Sequence, residues 1–486
     1  MVKLRTHKTY SNNQKFIKMK KIFILFALAA LSTFVLNAQE PYHVQRNLDE
    51  TRIKEIMDSF EYNKTNTALQ NAICHNDIKK LAASRANNGK VNHFFSNEVK
   101  TKGISNQKRS GRCWLYTGLN TIKPMVQEKY SLNDFEFSQT YNFFWDQFEK
   151  ANLFLILAFN TSGLPMTDKK VEWLFKNPIG DGGQWTNFAD NINKYGLVPA
   201  DAMPDSYQSE NTAMMSRLLK RKLREQGLEM RALARTKMNT KAQEEEKLRM
   251  LKQIYRILAL SLGEPPTEFE WQYKDKDGKL AEAKTYTPKQ FYSEIIGLDL
   301  NEYVMLMDDP RNKYNKVYEV EYDRTLFEGN NWKYINLPVK QIKEFAKKSI
   351  LANEAMYFSC DVGKQLDGKN GYLDLNNYNY NDLMGVDFGM DKKQRIETFE
   401  SGSTHGMALV GVNILPDGST NKWKLENSWG AEKGNKGYLT MTDEWFSEYM
   451  FRLVVNKKHL TAEVLKILEQ KSELLPPWDP MFSMEE

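Results

Sequence analysis

Two apolar runs folded back on one another constrain this chain more than any other feature. Thr404-His405-Gly406 opens the run Met407 to Val412, and Pro416-Asp417-Gly418 follows as a turn. Trp423-Lys424-Leu425-Glu426 then returns to Asn427-Ser428-Trp429-Gly430. Apolar runs on either side of such a turn predict an antiparallel hairpin with a loose loop. Residues 405 and 427 are equidistant from 416, so pairing centred there sets His405 opposite Asn427, within about a residue of slippage. An asparagine oxygen in that position accepts an imidazole N–H and fixes the ring, leaving the other ring nitrogen for chemistry. Trp429 would shield that bond from water. An isolated histidine is more often structural, but one held in this way is a candidate acid/base.

The chemistry has a second half in Asn106-Gln107-Lys108-Arg109-Ser110-Gly111-Arg112-Cys113-Trp114. Leu115, Leu119 and Ile122 follow at helical spacing, and Pro124 is expected to kink or stop the helix. Cys113 is therefore expected in the first helical turn, where unpaired N–H groups and the helix dipole favour a thiolate. A lone cysteine is usually apolar filler. Here the glycine before the helix and the glutamine six residues upstream favour a nucleophile. When a thiolate attacks an amide, charge collects on the carbonyl oxygen. The Gln107 side chain and the Cys113 backbone N–H are candidates to receive it. Cys74 and Cys360 are expected to be buried fillers.

Other chemistries find little support. No histidine pair has zinc spacing, and CxxC, Walker and GxSxG motifs are missing. No metal and no cofactor is expected. Asp181-Gly182-Gly183-Gln184 lacks the strand–helix frame of a phosphate loop. Adjacent glycines beside a cleft, Gly182 and Gly183, suit the close approach of an extended peptide backbone.

The net charge of +6 over 486 residues invites a nucleic-acid reading. Seven of the basic residues, and no acidic one, lie in residues 1–38, so the remainder carries −1 and gives no global argument for nucleic acid. That segment itself has the secretory pattern. Lys20-Lys21 precede the apolar run Ile22 to Leu36, and Asn37-Ala38 ends in a small residue. The run is short for a membrane span, which takes about 20 residues. We read 1–38 as a signal peptide with Met19 as its start, and expect an exported protein, periplasmic or secreted, with no stable membrane span in the mature chain. A further basic stretch, Arg217 to Arg256, holds thirteen Lys/Arg and five Glu. Leu218, Leu219, Leu223, Leu251, Ile254 and Leu258 supply a buried stripe beneath it, so it reads as the solvated face of two helices.

Beyond the signal, 39–100 is expected to be a helical arm and 101–200 a helical lobe carrying the nucleophile. Residues 201–345 read as a helical insertion and 346–460 as a β-rich lobe carrying the histidine and asparagine. Residues 461–475 read as a last helix, completing 461–486 with a short tail after Pro476-Pro477.

Taken together, Gln107…Gly111-Arg112-Cys113-Trp114, Asp181-Gly182-Gly183-Gln184-Trp185, Thr404-His405 and Glu426-Asn427-Ser428-Trp429-Gly430 resemble papain-like cysteine peptidases. They look most like the bleomycin hydrolase/aminopeptidase C branch. Phe137-Ser138-Gln139-Thr140-Tyr141, Lys194-Tyr195-Gly196-Leu197-Val198-Pro199, Cys360-Asp361-Val362-Gly363 and Trp478-Asp479-Pro480-Met481 are similar to that branch too. The resemblance implies an α+β, papain-like two-lobed fold, a helical lobe and an antiparallel β-barrel-like lobe with a large helical insertion. It implies Cys113 as nucleophile, His405 as acid/base, Asn427 as its orienter and Gln107 in the oxyanion hole. It also implies a homo-hexamer acting on peptides as an aminopeptidase, with the C-terminal tail in the cleft. The tail here, Phe482-Ser483-Met484-Glu485-Glu486, departs from the small apolar tails of the branch and keeps endopeptidase action open. A non-catalytic peptide-binding scaffold is the reading from another class, and an amidase on a small substrate is a third.

Overall fold

Asp49 and Asn63 start the first two helices, Glu50–Asp58 and Lys64–His75, by accepting the backbone N–H groups of Arg52 and Asn66. The computed structural model describes residues 47–87, 89–90 and 92–482. The expected signal segment and the last four residues lie outside that set. The chain forms two units, Met1–Asn76 and Asp77–Glu486. In the first, helix Lys64–His75 buries none of its residues, and Cys74 is exposed on it. That corrects the expectation of a buried filler: a helix with no buried face has no core for a thiol to fill. Cys113 and Cys360 are buried, and no disulfide joins the three.

The second unit has two apolar cores. One lies among helices Cys113–Lys129, Gln139–Asn160 and Trp185–Tyr195, where Leu115, Phe143, Phe144 and Phe188 are fully buried. Close packing there depends on Gly118, because a Cβ at that position would fall 2.5 Å from the Phe188 ring. Pro124 does not stop helix Cys113–Lys129, which runs five residues past it. Helices Ala213–Leu233 and Thr240–Leu262 pack on Gln139–Asn160 and contribute Leu219, Leu223, Leu251, Ile254 and Leu258 to the core. Leu218 departs from the expected stripe and faces solvent. On the outer face Arg249 pairs with Glu229 and Glu246, and Lys222 with Glu225, as a solvated surface would.

The second core lies against a twelve-stranded sheet. Its strands run in the order Glu473–Leu475, Lys316–Val320, Lys333–Asn336, Tyr303–Met307, Met450–Asn456, Met356–Cys360, His405–Ile414, Thr420–Glu426, Tyr438–Thr442, Tyr372–Leu373 and Leu366–Asp367. Asn97–Glu98 adds to His405–Ile414 outside this path. The fold is thus α+β with a helical lobe and a β lobe. Two segments differ from expectation. Residues 303–336, read as part of a helical insertion, supply three strands of the main sheet, because Val304, Leu306, Val317 and Ile335 bury a β face. The last helix spans only Ala462–Ile467, and Glu473–Leu475 is captured by the sheet edge in parallel with Tyr318–Val320. Beyond it Met481 and Phe482 are buried, with Phe482 edge-on to Trp332 at 4.6 Å, and Asp479 bonded to Arg311 at 2.6 Å.

Candidate active site

Cys113 is the first residue of its helix. Arg112 precedes it and offers no side-chain cap, so the positive end of the helix dipole meets the Cys113 side chain. Arg112 is instead buried and pinned by Asp205 at 3.1 Å and by the Ser110 hydroxyl at 3.0 Å. The preceding residue must be glycine: a Cβ on Gly111 would lie 2.8 Å from that of Asp181. The loop before the Cys113 helix is thus clamped on both sides. One turn into the helix, Thr117 lies against the strand that starts with His405. A Cβ on Gly406 would sit 3.0 Å from Thr117 Oγ1.

His405 opens that strand and is buried. Its Nε2 lies 2.7 Å from Asn427 Oδ1. The Asn427 oxygen also accepts the Ser428 backbone N–H at 2.8 Å. A donor on that atom identifies it as the carbonyl oxygen, so Nε2 carries the proton and donates, and Nδ1 is left as the basic nitrogen. The route to this pair differs from simple opposition. Ala408 pairs with Glu426 and Leu409 with Leu425, and bulges follow in each strand, between Leu409 and Gly411 and between Asn413 and Ile414. Continued toward the site, that register puts Trp429, not Asn427, opposite His405. Trp429 stacks on the imidazole at 4.8 Å and 26°, while Asn427 reaches it diagonally. Burial pushes the imidazole down to about 4, and the Asn427 hydrogen bond opposes that fall.

Gln107 is tied into the same cluster. Its backbone N–H donates to Ser428 O at 2.8 Å, and Asn106 bridges to Trp429. Its side-chain oxygen accepts the Ser428 hydroxyl at 2.6 Å, and its Nε2 donates to Ser110 O at 2.8 Å. An amide with its oxygen fixed by a donor cannot flip, and one N–H of Nε2 remains for a further acceptor. Ser428 therefore orders Gln107 and Asn427 together. Sequence reasoning did not single it out, although it lies inside the Asn427-Ser428-Trp429 motif; the partner it orders is 321 residues away.

The glycines divide their labour. A Cβ on Gly183 would fall 2.8 Å from the Trp114 indole, so that glycine lets the segment pack on the indole. Gly182 has open space at its Cβ position. Trp114 also donates its indole N–H to Asp181 O at 2.8 Å. Among the described residues, the Gly183 N–H and C=O carry no hydrogen bond within the chain. The structure thus gathers Gln107, His405, Asn427 and Trp429 into one hydrogen-bonded and stacked group. Cys113, Gly182 and Gly183 are joined around Trp114 and Asp181, and the Gln107–Ser110 bond links the two groups.

Beneath the site lies a buried charged group. Lys123, on the Cys113 helix, sits 2.8 Å from Glu136 and 3.7 Å from Glu426, the residue before Asn427. Burial raises the Glu426 carboxyl, with Lys123 opposing.

A family model described as "Peptidase C1-like family" matches residues 47–482. The chain is 38% identical over 416 residues to aminopeptidase C of Lactobacillus delbrueckii subsp. lactis, covering 85% of this chain and 92% of that one. It is 38% identical over 431 residues to bleomycin hydrolase of Homo sapiens, covering 86% and 94%. The crystal structure of PepW from Lactobacillus rhamnosis superposes with a TM-score of 0.87 at 36% identity, covering 90% of this chain and 99% of that one.

Proposed function

The chain belongs to the Peptidase C1-like family and is a cysteine-type peptidase of papain-like α+β fold, and on that premise we propose that Cys113 is its nucleophile and that it acts as an aminopeptidase. The observation that carries the assignment is the 2.7 Å bond from His405 Nε2 to Asn427 Oδ1, which leaves Nδ1 to exchange a proton with the Cys113 sulfur. The thiolate attacks the scissile carbonyl carbon, forming a C–S bond, and charge moves onto the oxygen. The remaining Gln107 N–H and the amide end of the helix stabilise that charge. As the C–N bond breaks, His405 gives its proton to the leaving amine. His405 then takes a proton from water, the hydroxide attacks the thioester, the C–S bond breaks, and the acid leaves with the thiolate and the protonated His405 restored. Gly182 and Gly183 bind the substrate backbone, for which the unpaired Gly183 N–H and C=O provide an edge.

Export to the periplasm or beyond belongs to the same proposal, on the strength of Lys20-Lys21 and the apolar run that follows, as does assembly into a homo-hexamer. Among the described residues no helix is long and apolar enough to cross a membrane.

A second reading, endopeptidase action, draws on one observation. An open backbone edge at Gly183 suits a substrate that extends past a single residue. Product analysis on one defined peptide, with free and with acetylated N-terminus, separates the two. Stepwise loss of residues from the free amine alone supports aminopeptidase action, and equal cleavage of the acetylated peptide supports the endopeptidase. Cys113→Ala should abolish turnover of either form; cleavage at the unsubstituted rate by that variant removes the nucleophile assignment.

A further inference from the structure

Beneath the Asp181–Gly183 segment lies a cation that the proposed chemistry does not use. Lys150, on helix Gln139–Asn160, is nearly buried, and its ammonium donates to Gly180 O at 3.1 Å and Gly182 O at 2.6 Å. One turn earlier on the same helix, Asp146 holds it at 2.7 Å with a fully buried carboxylate. An ammonium has three N–H donors, and these three oxygens take them all. The intervening carbonyl, Asp181 O, is held by Trp114, and Gln147 adds a second donor to Gly180 O at 2.9 Å. Three successive carbonyls are therefore fixed from the protein side.

That anchoring fixes what the opposite side of the segment presents. A peptide unit is planar and trans, so its C=O and N–H point in opposite directions. The bond from Lys150 to Gly182 O thus turns the Gly183 N–H away from the protein interior. A charged donor on the carbonyl also polarises the whole unit, which strengthens the N–H across the same bond. Gly183 contributes neither its N–H nor its C=O to any hydrogen bond among the described residues. We propose that Lys150 is a positioning residue that presets the Gly182–Gly183 peptide as a backbone-pairing edge for the substrate. This inference rests on the reading that Gly182 and Gly183 bind a peptide; it adds which residue makes them able to do so, by acting through the Gly182 carbonyl and not by touching the substrate.

The test is the steady-state kinetics of Lys150→Met on the defined peptide, beside the rate at which iodoacetamide alkylates Cys113. Iodoacetamide needs the thiolate but no backbone edge. The expected result is a KM raised about tenfold, of the order of one hydrogen bond, with kcat and the alkylation rate within about twofold. An unchanged KM, or a KM change accompanied by an equal loss of alkylation rate, overturns the proposal. Because Lys150→Met leaves Asp146 without its cation, Lys150→Met/Asp146→Asn serves the same test if the single variant does not fold. If the unsubstituted chain turns over no peptide, the peptidase reading falls and this inference with it; a KM effect missing in an active enzyme counts against Lys150 alone.

Discussion

His405 sits where its charge is penalised. Burial pushes its pKa from the ordinary 6.5 down to about 4, with only the Asn427 hydrogen bond opposing. An imidazolium at neutral pH in such a place needs an anion beside it, and the Cys113 thiolate is the group proposed for that role. Cys113→Ala removes the anion and leaves burial and the Asn427 bond alone, so His405 in that variant should titrate at about 4. The unfolded chain binds its proton near 6.5 and the folded variant does not. This contribution to stability is therefore present above 6.5 and is lost as the pH falls from there through 4. Ring-proton NMR across pH 3–8 measures the pKa directly; titration near 6.5 would show the site to be more hydrated than its burial implies. At this scale the sequence allowed His405, Asn427, Gln107 and Cys113 to be named as a group from spacing and residue type. It did not reveal the diagonal reach of Asn427. That follows from pairing centred on Asp417 instead of Pro416: Ala408 with Glu426 and Ile414 with Thr420 share that centre, the two bulges between them offset one another, and nothing in the Pro416-Asp417-Gly418 turn marks which residue is its midpoint.

The Cys113 helix and the strand that leads into Asn427 are joined by a buried charge. Lys123, ten residues after Cys113, is almost fully buried between Glu136 and Glu426, and it donates to Gly103 O at 3.2 Å. A buried ion pair is costly to form and more costly to break, since the abandoned partner keeps its desolvation penalty. Lys123→Met should cost about 3–5 kcal/mol of unfolding free energy, and Lys123→Met/Glu426→Gln should recover part of it. The sign of the pH dependence follows from Glu426, whose pKa burial raises while Lys123 opposes. A raised carboxyl contributes fully below its unfolded pKa and loses that contribution as the pH rises through the folded value. The single variant should therefore be hurt more at pH 8 than at pH 5, and urea denaturation at both pH values measures it. Equal losses at the two pH values would mean that Glu426 does not report the missing cation. The sequence led to an expected kink or stop at Pro124, and the helix runs on to Lys129. Proline removes one internal hydrogen bond, but the apolar face of the helix, carried on by Val126, outweighs that loss.

Across the second unit, one apolar core joins the long helices to side chains of several strands and the other lies against the sheet, and the proposed catalytic residues divide between helix and sheet: Gln107 and Cys113 precede or open a helix of the first core, and His405 and Asn427 come from the hairpin. The hairpin was legible because it is local, with a turn between two apolar runs. The extent of the sheet was not. Lys316–Val320 and Tyr303–Met307 follow two long charged helices, and their strand character depends on partners at a distance, including Met450–Asn456 nearly 150 residues later. Long-range pairing leaves only a weak period-two trace in a five-residue segment. The same limit applied to Glu473–Leu475, which reads as the end of a helix until the sheet edge beside Lys316–Val320 is known.

The account depends on a sulfur that is already ionised in the resting protein. The most direct measurement is the rate of iodoacetamide alkylation of Cys113 as a function of pH, with Cys113→Ala subtracting the contribution of exposed Cys74. A thiolate stabilised by His405 and the helix end predicts fast alkylation that stays flat from neutral pH to well below 7, and that collapses in His405→Ala. A rate that climbs through a single thiol titration near the ordinary value of about 8.5, unaffected by His405→Ala, would contradict it.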